Sequence, residues 1–332
     1  MLPTLLGITV VVFFLVNMVP GGPVEQAIQK ARGVGGGETG GGGGARTLTP
    51  EAIAQLRAYY GFDKPILERY GRWLWKVIHL DLGRSYNYRQ DVWDLIRARI
   101  PISLMFGGTG FLLAYLVCVP LGVFKAMHHG TWKDWLTSTI VFVGYSIPEF
   151  ALGVVLLVLF GGGSFWNVFP LSGVYSDNHA SLSAMGKILD VAHHMVLPLI
   201  CSTIGSFATL TVLMKNSLMD NLSADYVRTA LAKGLSFRAA LYRHALRNSL
   251  IPLATGFGSI VTVFVSGSIL IEVVFGIDGM GTLNYDALYQ RDYPVTLGVI
   301  LLLSVLTLIG NLLSDICYVL IDPRISFDRS AD

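Results

Sequence analysis

The 332 residues are 53% hydrophobic and only 14% charged, with a mean hydropathy of +0.58, whereas a water-soluble chain ordinarily carries about 25% charged residues. This excludes an ordinary soluble globular domain and places the chain in a bilayer. A formal net charge of +2 leaves no basic excess for nucleic acid, so the lysines and arginines are informative only through their positions.

A hydrocarbon core about 30 Å thick takes about 20 apolar residues at 1.5 Å per residue. Six windows satisfy this: Leu2 to Val19, Ile102 to Lys125, Trp135 to Phe160, Met195 to Met214, Leu250 to Phe275 and Val295 to Leu320. The first begins abruptly at Met1 without the basic flank that usually anchors an entering helix, which points to a natural start further upstream. No small-residue cleavage site follows Asn17, against a cleaved signal peptide.

Residues 20–100 form a large loop in two parts. The glycine-dense stretch 33–45 lacks the hydrophobic content that offsets the entropy of ordering a chain and is expected to be flexible. No G-K-S/T follows it and no strand precedes it, so it is not a phosphate-binding loop. From Thr49 the pattern changes. Thr49 is a helix cap, Pro50 suits the first helical position, and Ile53, Leu56 and Tyr60 recur at helical spacing, predicting a small helical cap. Tyr70, Trp73 and Trp75 are candidates for the membrane boundary, as interfacial anchors or as substrate contacts.

The short connections contain Lys133 between spans two and three, Lys187 between three and four, and Arg291 between five and six. The segment between four and five, residues 215–249, contains Lys215, Arg228, Lys233, Arg238, Arg243 and Arg247. By the positive-inside rule that segment is cytoplasmic, and alternation then puts both chain ends in the cytoplasm, the tail 321–332 included. The first loop, at about 80 residues, is too long for the rule, and its periplasmic placement rests on alternation.

Within this basic segment Ser223 is an expected N-cap, Asp225 favours the positive end of a helix dipole, Lys233 the negative end, and Gly234 is the expected stop. They predict a helix of about ten residues with Val227, Ala230 and Leu231 as one apolar stripe. Ser236 is expected to cap a second basic helix through Arg247. From these residues alone, a helix lying on the membrane surface and a helix docking on a protein both remain open.

The run Tyr226, Val227, Arg228, Thr229, Ala230, Ala232, Lys233, Gly234, followed by His244, Arg247, Asn248, Ile251 and Pro252, closely resembles the coupling signature of ATP-binding cassette (ABC) importer permeases of the dipeptide and oligopeptide class. The resemblance extends along nearly the whole chain. Pro20 to Pro23 look like the exit from the family's first span, and Gly61, Asp63, Pro65, Asp81, Gly83 and Ser85 look like its outer-loop pattern. Ser146, Pro148 and Phe150 resemble its third-span motif. Glu272, Phe275, Gly279 and Gly281 resemble the end of its fifth span, Arg291 to Pro294 the start of its sixth, and Asp315, Tyr318, Asp322, Pro323 and Arg324 its closing signature. The glycine-rich insertion and residues 163–173 look most like the Yej branch, associated with microcin C and related peptides. Arg228 stands where many permeases carry an acid, and Leu231 where the peptide branch commonly has arginine.

The resemblance implies an all-α, type I importer permease of about six spans, with a five-helix core over 101–320. It also implies a coupling loop inserted in a cleft on an ATPase subunit, through Tyr226, Arg228, Thr229, Ala230, Ala232, Lys233, Gly234, His244, Arg247 and Asn248. The implied partners are a second homologous permease, two ABC ATPase domains, a periplasmic or lipid-anchored peptide-binding protein and a peptide. ATP and magnesium belong on the partner subunits, and this chain itself is neither an enzyme nor a cofactor carrier.

Ser146, Pro148, Glu149 and Glu272 are candidates for the translocation path or gate. A charge near the centre of a span costs at least about 2.5 kcal/mol on insertion scales, so Glu149 is expected to face the pore or a partner helix, and Pro148 is expected to bend its span. Glu272 and Asp315 are expected nearer opposite membrane faces, within reach of water. Glu272 with Gly276, Gly279 and Gly281 reads either as an outer gate or as a structural turn, and Asp315 as a structural partner rather than a proton carrier. An ion-coupled secondary transporter relaying through Glu149 and Asp315 is the alternative class, although no internal repeat supports it. Cys118, Cys201 and Cys317 lie in apolar runs and the paired histidines 128/129 and 193/194 lack i, i+4 spacing, so no disulfide or metal site is expected.

Overall fold

A computed structural model describes residues 1–31, 49–162, 165–254 and 267–321. The glycine-rich insertion, most of the expected fifth span and the tail beyond Ile321 lie outside the described residues. The helices are α1 (Leu2–Met18), α2 (Pro23–Ala31), α3 (Pro50–Tyr59), α4 (Ile66–Ile78), α5 (Val92–Met127), α6 (Trp132–Ser146), α7 (Glu149–Phe160), α8 (Ala184–Ser223), α9 (Asp225–Ala232), α10 (Phe237–Ala240), α11 (Leu246–Ser249), α12 (Ile251–Ala254), α13 (Ile269–Phe275), α14 (Met280–Tyr289) and α15 (Tyr293–Ile321). Four are long and apolar enough to cross a membrane, and the α6–α7 pair makes a fifth if counted as one bent span. The expected fifth span keeps only its ends, α12 and α13, among the described residues.

Several boundaries differ from those expected. The third span is not one helix over Trp135 to Phe160: α6 and α7 meet at 93°. Pro148 has no N–H to continue the ladder, and its ring pushes Ile147 out of the helical region to φ −91°, ψ 123°. The second and fourth spans lie inside helices of 36 and 40 residues, well beyond Ile102 to Lys125 and Met195 to Met214. Ser183 starts α8 early by accepting a hydrogen bond from the Gly186 N–H. At the other end Ser217 and Leu218 are buried, and their packing carries the helix through Ser223, so residues 215–223 are helix rather than loop. Ser223 is therefore not an N-cap; its hydroxyl donates to the Asp220 carbonyl, and Ala224 precedes α9 without a side-chain cap.

The chain packs as two compact units, Met1–Ala98 with Leu283–Val305, and Arg99–Thr282 with Leu306–Asp332. In the first, Thr49 caps α3 through the Ala52 N–H, as its position predicts. Tyr70 and Trp73 are three residues apart on one face of α4, and both rings contact Phe13 of α1, Tyr70 edge-on and Trp73 tilted, with centroids 5.4 Å away. Both pack within this unit, whereas Trp75, on the other side of α4, is 66% exposed. Buried Asp292 fastens the loop before α5: its carboxylate accepts from the Ser85 hydroxyl (2.5 Å) and from the N–H groups of Tyr86 (3.2 Å) and Asn87 (3.1 Å). Burial, reinforced by the Asp292 charge, pushes the Tyr86 phenol up to about 12.

The second unit has two cores. One gathers Phe106, Leu157, Met195, Cys201, Ile271 and Phe275. The other gathers Val123, Ala126, Met214, Leu218 and Leu253 with four residues of the 224–249 segment: Val227, Ala240, Leu241 and Ala245. Buried Cys118 and Cys201 are free thiols, and no cluster of three or more metal-ligating side chains occurs among the described residues.

Candidate functional site

The 224–249 segment is built as an anchored bracket. Val227 is fully buried in the second core, so one side of α9 is fixed to the ends of α5 and α8. Tyr226 is tied to the same place, its phenol donating to the Asn221 side chain at 2.6 Å. The rest of α9 faces outward: Arg228, Thr229, Ala232 and Lys233 are exposed and Ala230 is partly buried. Leu231 does not share the buried stripe; it is 37% exposed, because only Val227 points back at α8.

The helix stops where its sequence says. Gly234 adopts φ +90°, the Gly234 N–H reaches the Leu231 carbonyl at 2.9 Å, and the Leu235 N–H reaches Ala230 at 3.2 Å. This pair of bonds is the Schellman arrangement, which closes a helix only with a left-handed residue after its last turn. Ser236 then caps the following helix through the Ala239 N–H. That helix runs to Ser249 but contains a π-helical turn at Leu241–Ala245, a local widening often found at functional sites. Ser217 of α8 and Ser249 of α11 exchange hydroxyl-to-carbonyl bonds at 3.0 and 3.2 Å, locking the far end of the bracket. His244, Arg247 and Asn248 are all exposed.

The outcome is a surface with basic groups from both helices around apolar side chains left exposed among the described residues: Leu231, Phe237 at 50% exposure and Tyr242 at 56%. A helix lying on lipid would present one continuous apolar stripe to the bilayer, whereas here the continuous stripe is spent on the protein's own core. Exposed aromatic and basic residues around a rigid helix are the composition of a protein interface. Sequence reasoning missed Phe237 and Tyr242, since nothing in the local pattern separates them from the buried Ala240, Leu241 and Ala245 beside them.

Beneath the bracket lies a buried charge cluster that sequence reading did not assemble. The Lys125 ammonium, 1% exposed, sits 3.1 Å from the Asp134 carboxylate, and Lys215 donates to both oxygens of the same carboxylate at 2.9 and 2.7 Å. Lys125 also donates to the Asp134 carbonyl, the Thr137 hydroxyl and the Ser138 hydroxyl. One carboxylate thus joins α5, α6 and α8 at the end that carries Val123, Ala126 and Met214, the residues packed against Val227.

The path candidates do not converge with the bracket. Ser146 donates back to the Phe142 carbonyl and, with Pro148, forms the exposed outside of the bend. Glu149 starts α7 half-buried, its carboxyl resting against the α8 backbone at Gly205. Asp315 is exposed on α15.

Glu272 is placed differently from expectation: it is fully buried rather than within reach of water. The chain folds Gly267, Gly279 and Gly281 onto its carboxyl, and the Thr282 N–H donates to it at 2.8 Å. The turn that follows is pinned, with the Met280 N–H donating to the Ser103 hydroxyl at 2.8 Å and Arg99 paired to Asp278 at 2.9 Å. A side chain at Gly279 would bring a carbon within 2.7 Å of the Glu272 carboxyl. Gly279→Ala is expected to destabilise this turn by about 1–3 kcal/mol, as overpacking does. A lowered melting temperature of the purified protein, with Glu272→Ala relieving part of the loss in the double variant, checks this.

Residues 118–327 match the family described as binding-protein-dependent transport system inner membrane component. The chain is 41% identical to the peptidoglycan transport system permease protein YejB of Agrobacterium fabrum, covering 99% of this chain and 96% of that protein. It is also 41% identical to the inner membrane ABC transporter permease protein YejB of Escherichia coli O157:H7, covering 98% and 96%. The dipeptide transport system permease protein DppB of Escherichia coli is 34% identical, covering 98% and 95%.

Proposed function

This chain belongs to the family of binding-protein-dependent transport system inner membrane components, and from that premise we propose that it is the peptide-translocating permease subunit of an ABC importer in the bacterial inner membrane. The observation that carries the coupling role is the bracket: α9 is immobilised from behind by Val227 and presents Arg228, Thr229, Ala232 and Lys233 to a partner. A helix held in this way moves with α5 and α8, so a displacement imposed on it by an ATPase reaches the spans.

On this reading two ATPase subunits bind ATP and magnesium, a second homologous permease completes the pathway, and an external binding protein delivers the peptide. The bracket then faces the cytoplasm, as do both chain ends. Relatives named for peptidoglycan, dipeptide and oligopeptide transport support a peptide or peptide-bearing substrate. The name ABC transporter permease on a relative 41% identical favours ATP over an ion gradient as the energy source. The test is affinity purification from the native membrane, followed by reconstitution with loaded binding protein. The expected result is a second permease and two ATPases in the eluate, with peptide-stimulated ATP hydrolysis. A lone chain that moves peptide under a proton gradient without ATP overturns the proposal.

A further inference from the structure

The first compact unit contains a cavity of about 850 Å³, within the range of about 300–1,000 Å³ common for ligand sites. It lies where Phe13 and Asn17 near the end of α1 meet Tyr293 and Leu297 at the start of α15, the ends of two helices long and apolar enough to cross a membrane, with α4 and residues 81–89 closing it. Six cationic side chains line it, Lys64, Arg69, Arg72, Lys76, Arg84 and Arg89, against one carboxylate, Asp81. Lys64 and Arg72 share Glu68 at 3.2 and 2.8 Å, and Lys76 stands 3.9 Å from Asp81. Among the described residues Arg69, Arg84 and Arg89 make no ion pair.

Arg69 is preset for a ligand. Its guanidinium lies 3.8 Å above the Phe62 ring and donates to the Asn17 side chain, which fixes the plane of the fork. The wall beside it is apolar: Phe13, 4% exposed, packs against Trp73, and Leu297 continues the surface.

We propose that this cavity binds the phosphate headgroup of an anionic phospholipid, the diester on Arg69, Arg84 and Arg89 and the first acyl methylenes along Phe13, Trp73 and Leu297. Planar guanidinium groups match phosphate oxygens in pairs, and basic pockets between spans at a membrane boundary are suited to lipid headgroups. A soluble anion would use the charges and leave the apolar wall, which continues onto a membrane-crossing helix, without a role.

The experiment is native mass spectrometry of the intact transport complex, delipidated and then titrated with phosphatidylglycerol, phosphatidylcholine or inorganic phosphate. Phosphatidylglycerol is expected to be retained with about tenfold preference over phosphatidylcholine, whose diester is the same but whose choline cation meets like charge on the Lys- and Arg-rich lining. Arg84→Gln combined with Arg89→Gln alters two exposed side chains and is expected to bring the ratio near parity in a complex that still assembles. Arg69→Lys keeps the charge, loses the fork and is expected to fall between. Equal retention of the two lipids, or an unchanged preference in the double variant, overturns the proposal. So does occupancy by inorganic phosphate without lipid, which assigns the site to a soluble anion.

Discussion

Gly234→Val is expected to leave the protein inserted in the membrane and assembled with its partners while its peptide-stimulated ATPase activity falls by about tenfold or more. Gly234 holds φ +90° with nothing within 4 Å of where a side chain would stand, so the substitution meets no neighbour and its whole effect is on the backbone. A branched residue in that region costs about 1–3 kcal/mol, which moves a local equilibrium by about 5- to 150-fold. The two bonds that close α9 would open, Val227 would remain seated in its core, and the exposed face of α9 would lose its fixed direction. Gly234→Asn is the control, because asparagine tolerates the left-handed conformation and should retain most of the stimulation. Stimulation by the valine variant equal to that of the unmodified protein would show that this turn does not transmit the movement.

The second large effect is expected at Asp134. Its carboxylate balances Lys125, which is 1% exposed, and Lys215, so Asp134→Ala leaves a buried ammonium without a counter-charge. Breaking a buried pair from one side costs about 3–5 kcal/mol. The variant should appear at low level in the membrane, with a depressed melting temperature and weaker recovery of the ATPases, because α5, α6 and α8 lose their common tie directly under the bracket. Adding Lys125→Met removes the stranded charge and should restore much of the level. Melting curves and membrane quantities of the single and double variants decide it: an undisturbed single variant, or a double variant no better than the single, contradicts this account.

Much of the fold is legible in the sequence because its signals are local. Thr49 and Ser236 cap the helices that follow them, and Gly234 ends the helix before it, through bonds spanning five residues or fewer. Such bonds depend on the residue types within one turn. Pro148 likewise bends its span for reasons contained in two residues. Apolar length identifies four of the six expected spans as single helices and a fifth as a bent pair, because the bilayer's thickness imposes it on any sequence.

The candidate site was legible in part. Val227 and the outward pair Arg228 and Thr229 follow from helical periodicity, but the exposure of Leu231, Phe237 and Tyr242 does not, since it depends on where α8 ends and which face of the bracket it covers. Ser223 carries the chemistry of a cap and yet remains inside α8, because burial of Ser217 and Leu218 extends that helix past the point where a capping preference would stop it. Glu272 has the composition of a solvent-reachable acid near a membrane face, and glycines folded back from as far as nine residues away enclose it.

By itself the sequence determined a membrane protein of long apolar helices with a basic, glycine-ended helix between the fourth and fifth spans. Hydropathy and backbone dihedral preferences are properties of each residue and its near neighbours. Only the tertiary structure decided which distant groups meet: Ser85 with Asp292, 207 residues apart, and Lys215 with Asp134, 81 residues apart. Lys215 and Asp134 meet because packed helices bring their charges to the same depth, and Asp292 draws the Ser85 hydroxyl because a buried carboxylate is costly without an opposite charge or hydrogen-bond donors.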